Sequence, residues 1–116
     1  MMNTISADEW QLLSFFEVEP TPADEDVDWP YNDYLFEIIR GEFELSCSIA
    51  PAYRDVRMIL THKGVKLYEL NSMGVTDVKY RKEANIESLV IVLSQKESIV
   101  LTVNPSISIN HNVDGN

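Results

Sequence analysis

The stretch that decides the fold is residues 34–49, YLFEIIRGEFELSCSI. On both sides of Arg40-Gly41, apolar side chains recur at every second position, which is the period of a strand with one buried face. A tight turn at Arg40-Gly41 would make three cross-strand pairs: Ile38 with Phe43, Phe36 with Leu45, and Tyr34 with Cys47. Because all six side chains would then share one face, the sequence predicts an antiparallel hairpin within a larger sheet.

Short segments of the same kind continue toward the C-terminus. Five of them are bounded by turn residues: 55–61, 65–70, 75–81, 86–93 and 98–103. Segment 86–93 is apolar on both faces, which predicts a central strand covered on each side. Ile107 and Ile109 indicate a last, edge strand, and residues 111–116 are expected to be a loose tail. The sheet is therefore expected to occupy residues 34–110.

A short helix is predicted ahead of the sheet, over residues 6–16. Ser6 has N-cap chemistry, and Glu9 follows it at capping-box spacing. Trp10 belongs to a short apolar stripe and is expected to anchor the helix on the sheet, because an isolated helix of this length is marginal. The expected fold class is α+β and mainly β: a single antiparallel curved sheet, a meander or roll of about seven strands, with one N-terminal helix packed on it. The 116 residues fit a single domain.

Charge is distributed unevenly along the chain. The formal net charge is -10, and residues 1–39 hold ten acids and no base, whereas residues 40–116 hold nine acids and nine bases. The acids are densest in the predicted loop 17–33, EVEPTPADEDVDWPYND, which we call the acidic segment. This charge argues against nucleic acid or an anionic membrane as the partner. The basic cluster 79–82, KYRK, is predicted to pair with these acids inside the molecule.

The acidic segment also carries the candidate partner-binding residues. Carboxylates beside aromatic rings are typical of surfaces that bind a basic protein. The predicted binding set is Asp24, Glu25, Asp26, Asp28, Trp29, Tyr31 and Asp33. The alternative for Trp29 and Tyr31 is that their rings hold the loop on the sheet.

No metal or cofactor site is predicted. Asp24, Asp26 and Asp28 have the spacing that begins a calcium loop, but an EF-hand needs glycine at the sixth position and glutamate at the twelfth. Those positions are Trp29 and Leu35, so the EF-hand interpretation fails. A looser cation site, with Asp33 or Glu25 added to the three aspartates, is the alternative to a solvated acidic loop.

No catalytic residue is predicted either, and the chain is expected to be a non-enzyme. The predicted register places Glu37 opposite Glu44, and two facing carboxylates are one arrangement that could share a proton or a metal. No nucleophile–histidine pair accompanies them. The single cysteine, Cys47, permits no internal disulfide, and the N-terminus lacks a secretory signal, so a cytoplasmic location is expected.

Three functions are compatible with these features. The first is a non-enzymatic cytosolic protein that presents its acidic, aromatic-flanked surface to a basic partner, as an inhibitor or an immunity-type neutraliser. The second is a structural or regulatory β module that self-associates. The third is a small ligand-binding or enzymatic roll that uses Glu37, Glu44 or Tyr34.

Overall fold

The computed structural model describes residues 4–114. Within this range the chain forms one helix and nine strands. In chain order they are α1 (Glu9–Phe16), β1 (Thr21–Pro22), β2 (Tyr34–Arg40), β3 (Phe43–Ala50), β4 (Asp55–His62), β5 (Val65–Ser72), β6 (Asp77–Glu83), β7 (Ile86–Val92), β8 (Glu97–Thr102) and β9 (Ser108–Val113).

The strands form two antiparallel sheets, so the prediction of a single sheet was wrong. Strands β1 to β5 make one sheet in chain order, and β6 to β9 make the other. The chain leaves the first sheet after β5 through a buried Val75, whose N–H donates to the Arg54 carbonyl at 2.8 Å. The next residue, Thr76, donates to the Val92 carbonyl of the second sheet at 2.8 Å. Alternation fixes which face of a strand is buried, but not which strand lies beside it.

The β2–β3 hairpin is present, in a register two residues away from the predicted one. Ile38 pairs with Leu45, and Arg40 pairs with Phe43, because the turn is at Gly41-Glu42. A shift of two residues keeps every side chain on its predicted face. It does separate the predicted carboxylate pair, since Glu37 lies opposite Ser46 and Glu44 lies opposite Ile39.

Both sheets and the helix contribute to one hydrophobic core. The fully buried larger side chains are Leu12, Phe15, Phe16, Phe36, Leu45, Ile49, Val56, Met58, Leu89, Ile91, Ile99 and Leu101. The ring of Phe16 stacks on the ring of Phe36, with centroids 4.3 Å apart. On the other side, the N–H of Ala7 donates to the Val78 carbonyl at 2.8 Å. The helical segment therefore joins the two sheets.

The helix itself begins later than predicted and buries a different face. Its N-cap is Asp8, which forms a capping box with Gln11, while Ser6 donates to Asp77 instead. The buried side chains, Leu12, Phe15 and Phe16, recur at i, i+3 and i+4. Trp10 lies on the opposite side and is 75% exposed, so the prediction that it anchors the helix was wrong.

Two predictions about the second sheet also need correction. Strand β7 is an interior strand, but Ile86 is exposed and Val90 is half-buried, so it is not covered on both faces. Residues 111–113 belong to β9 and pair with β8, with Val113 opposite Glu97, so they are not a loose tail. Residues 115 and 116 lie outside the described range. No helix in the described part of the chain is long and apolar enough to cross a membrane.

Candidate functional site

The acidic segment is held in shape by Asn32, a buried polar residue that is 4% exposed. Its Oδ1 accepts hydrogen bonds from the N–H groups of Asp24 (3.2 Å) and Asp33 (2.8 Å). Its Nδ2 donates to the carbonyls of Asp24 and Val27. The Asn32 amide thus uses both acceptor positions and both donor hydrogens to close residues 24–33 into a loop.

The exit of the segment is fixed on the first sheet. The Pro30 carbonyl accepts from the N–H of Ala52 at 3.0 Å, and the ring of Trp29 lies 5.6 Å from the ring of Tyr34. Trp29 packs against the core, whereas Tyr31 is 53% exposed. Of the two aromatic residues, Trp29 therefore holds the loop on the sheet, and the exposed ring of Tyr31 does not.

A groove runs between α1 and the acidic segment. Its inner part is a cavity of about 230 Å³, lined by Glu9, Leu12, Leu13, Glu19, Pro20, Pro22, Trp29, Tyr34 and Phe36. Its outer part, about 460 Å³, adds Glu25, Val27, Asp28 and Asn32. Glu9, Pro22, Trp29 and Tyr34 line both parts, so they form one continuous surface, which we call the acidic groove.

The charge in the acidic groove is negative and uncompensated. No ion pair joins Glu9, Glu19, Glu25 or Asp28 to a base within residues 4–114. The pKa of Tyr34 is raised above its ordinary value, first by burial and then by the negative charges of Glu9 and Asp28. A concave surface with apolar walls and several carboxylates favours the binding of a cation.

The structure separates the seven predicted binding residues into groups. Glu25, Asp28 and Trp29 line the acidic groove. Asp24 has a local role, because its side chain accepts from the N–H of Asp26 at 3.0 Å, and Asp26 is exposed outside the groove.

The remaining two predicted residues lie elsewhere. Asp33 forms an ion pair with Arg57 at 2.8 Å, facing a different hollow beside Leu35 and Ser48. Tyr31 points its exposed ring outside the groove lining.

Most of the groove lining is absent from the predicted binding set, including the acids Glu9 and Glu19 and the supporting residues Pro22 and Asn32. The sequence predicts a capping role for Glu9, and no local pattern indicates that a helix residue faces the acidic segment. Tyr34 lies beside the acidic segment because its ring contacts the ring of Trp29. Nothing in the sequence distinguishes Asn32 from an ordinary turn residue.

The basic cluster 79–82 does not neutralise the acidic segment. It lies on β6, where Arg81 forms an ion pair with Glu83 at 3.1 Å, and Tyr80 donates its hydroxyl hydrogen to Glu87. The predicted pairing of this cluster with the N-terminal acids was therefore wrong within the described residues. The acidic side of the molecule keeps most of its charge.

The other reactive groups form no catalytic arrangement within residues 4–114. Glu37 and Glu44 are exposed on the outer face of the first sheet. Burial raises the pKa of the Cys47 thiol to about 12. No cluster of three or more His, Cys, Asp or Glu side chains in this range has the geometry to hold a metal ion.

Comparison with known proteins identifies a fold but no family. No protein-family model and no curated protein matches the chain. A solved chain of the contact-dependent growth inhibition toxin–immunity protein complex from Klebsiella pneumoniae 342 superimposes with a TM-score of 0.76. The two sequences are 16% identical, and the match covers 97% of this chain and 98% of that chain. At this identity, the likeness shows a shared fold.

Proposed function

We propose that this protein is a non-enzymatic binding protein of the immunity type, which neutralises a basic protein partner by covering it with the acidic groove and the adjoining acidic segment. The observation that carries the proposal is the set of unpaired carboxylates, Glu9, Glu19, Glu25 and Asp28, around an apolar, aromatic groove. Charges left without an internal partner are available to a partner outside the molecule.

The fold supports the same function. The structure with the shared fold belongs to a complex of a toxin with its immunity protein. Between the role of a toxin and that of an immunity protein, the second fits an acidic chain better, because an acidic surface can cover the cationic surface of a toxin. The closest steric fit would then come from the concave groove, and the acidic segment would supply the rim.

Electrostatic attraction sets the expected kinetics of the complex. Complementary charge raises association rate constants from a neutral level of about 10⁵–10⁶ M⁻¹s⁻¹ to about 10⁸–10⁹ M⁻¹s⁻¹ at low salt. Such speed suits a neutraliser, which must reach its target before the target acts.

An affinity capture from the native cell tests the proposal. The bait would be compared with a variant in which Asp24→Asn, Glu25→Gln, Asp26→Asn and Asp28→Asn remove four charges. The matched control removes four exposed carboxylates elsewhere, through Glu37→Gln, Glu44→Gln, Glu69→Gln and Glu83→Gln. We expect a basic protein to be captured by the wild type and the control and lost from the first variant. Equal capture by all three baits would reject the acidic face as the binding site.

Self-association is a second candidate function, favoured by one edge of the first sheet. Strand β5 is an edge strand, and its side chains Val65 and Leu67 are 63% and 57% exposed. Apolar edge strands can pair with a second copy. Sedimentation over a wide concentration range decides this point, because a mass that stays monomeric throughout rejects it.

A further inference from the structure

We infer that the acidic groove is built to receive the side chain of one arginine from the partner protein, with its guanidinium beside Tyr34, Glu9 and Asp28. This inference rests on the proposed function and specifies which chemical group of the partner is recognised. It is carried by the unpaired carboxylates and the aromatic lining of the groove, with the Tyr34 hydroxyl as a further hydrogen-bond acceptor.

The hydroxyl of Tyr34 is available to a bound group. The residue as a whole is 9% exposed, but its hydroxyl oxygen is accessible to solvent and takes part in no hydrogen bond within residues 4–114. Tyr34 lines both parts of the groove, where it can accept a hydrogen bond from a bound group.

The surroundings of that hydroxyl determine which group it would accept. Glu9 and Asp28 are close enough to act electrostatically on Tyr34, and neither is paired with a base in the described part of the chain. A cationic donor would satisfy the hydroxyl and both carboxylates together. An anionic or apolar occupant would leave both carboxylates without a partner.

The walls of the groove favour arginine over a compact cation. Leu12, Leu13 and Pro20 supply apolar surface for an alkyl chain, and Trp29 and Tyr34 supply aromatic surface. A guanidinium is planar, stacks on aromatic rings and presents five donors in a fork, whereas an ammonium is a strongly hydrated point charge. Several acceptors around one aromatic wall therefore suit arginine better than lysine.

The size of the groove allows a side chain of a docked protein to enter it. The inner part, about 230 Å³, accommodates a single side chain, and the wider outer part, about 460 Å³, leaves room for the backbone that carries it.

Small arginine analogues test the site without the partner. The Trp10→Phe variant leaves Trp29 as the tryptophan in the groove, so its fluorescence reports occupancy. We expect a saturable change with N-acetyl-arginine amide, little change with the uncharged N-acetyl-citrulline amide, and weaker binding of N-acetyl-lysine amide. An identical response to arginine and citrulline analogues would overturn the inference, and equal or tighter binding of the lysine analogue would overturn the choice of arginine.

Substitutions locate the binding of the arginine probe. In the Trp10→Phe background, Glu9→Gln, Asp28→Asn and Tyr34→Phe should each weaken it about three- to tenfold. The matched control is Glu83→Gln, which removes an exposed charge on β6, away from the groove and the acidic segment, and should leave the probe affinity within about twofold. Equal loss in the control and in the groove variants would overturn the inference.

The two proposals fail in different ways. If the arginine probe does not bind, but the partner is still lost when the acidic segment is neutralised, the arginine site is overturned and the proposed function stands. If the probe binds, but the captured amount of the partner is unchanged when the groove carboxylates are neutralised, the groove binds a guanidinium, and both the proposed function and the arginine of the partner are overturned.

Discussion

Asn32 is the residue on which the shape of the acidic segment depends. It is buried, it makes four hydrogen bonds, and it closes a loop that has little apolar surface of its own. The carboxylates of the segment repel one another, so an unsupported loop would spread apart. A neutral amide at the centre of an acidic loop therefore positions the candidate site.

We predict that Asn32→Ala lowers the free energy of unfolding by about 2–3 kcal/mol, because four part-buried hydrogen bonds to backbone groups are lost. Asn110→Ala on the exposed face of edge strand β9 is the matched control and should change it by less than about 0.5 kcal/mol. Urea unfolding measures both. Equal, small effects would show that the loop does not need the Asn32 amide.

Asp77 gives the fold a predictable sensitivity to acid. Burial alone would raise its pKa, but hydrogen bonds from the Ser6 hydroxyl, the Ser6 N–H and the Val78 N–H, together with Lys79, lower the pKa below the ordinary 3.8. Because the folded-state pKa is depressed, this contribution to stability is present above the ordinary pKa and is lost as pH falls through the folded value.

We predict that Asp77→Asn lowers the free energy of unfolding by about 1 kcal/mol near neutral pH, and that the difference from wild type shrinks as the pH falls below the ordinary pKa of an aspartate and through the lowered folded-state pKa. Urea unfolding at several pH values measures the difference. A gap that is constant over the whole range would mean that protonation of Asp77 is not coupled to folding.

At the scale of the elements, the sequence predicted which face of a strand is buried, but it predicted less well which strands lie next to each other. The alternation in residues 34–49 identified the buried faces of β2 and β3, and the shift of two residues left those faces unchanged. The passage from β5 to β6 has the turn residues of a hairpin, but it joins two sheets. Partners distant in sequence, such as Arg54 with Val75, leave no local pattern to detect.

The helix shows the same limit in its choice of face. Eight residues give barely two turns, so Trp10, Leu12, Phe15 and Phe16 allow more than one apolar stripe. The stacking of Phe16 on Phe36 selects the observed face, and Phe36 lies twenty residues further along the chain. For the site, composition identified the acidic segment, but the partnership of Glu9 with Trp29 and Tyr34 required the fold.

We predict opposite results for two alanine substitutions in α1. Phe16→Ala should lower the free energy of unfolding by about 3–5 kcal/mol, because it opens a cavity in the shared core. Trp10→Ala should change it by less than about 0.5 kcal/mol, since the indole is 75% exposed. Urea unfolding provides the comparison, and Phe16→Leu gives a milder step if the alanine variant does not fold. A large loss with Trp10→Ala would contradict the observed helix face.

At the scale of the whole molecule, the fold brings together the negative charges that the sequence concentrates in residues 1–39. The apolar helix α1 and the acidic segment form the two sides of one groove. The carboxylates of this groove form no ion pair with a base in the described part of the chain. The Arg81 guanidinium of β6 pairs with Glu83 of the same strand and not with these carboxylates. The molecule thus has one strongly acidic face, and the charges of the remaining chain are balanced.

The measurement that tests this account most directly is the association rate of the captured partner as a function of ionic strength. Raising salt from about 0.01 M to about 1 M shortens the Debye length from about 30 Å to about 3 Å. We predict that the rate for the wild type falls by at least about tenfold, and that the rate for Glu25→Gln/Asp28→Asn starts lower and falls less. Rates that are equal for both proteins and independent of salt would contradict the proposal that the acidic groove binds the partner.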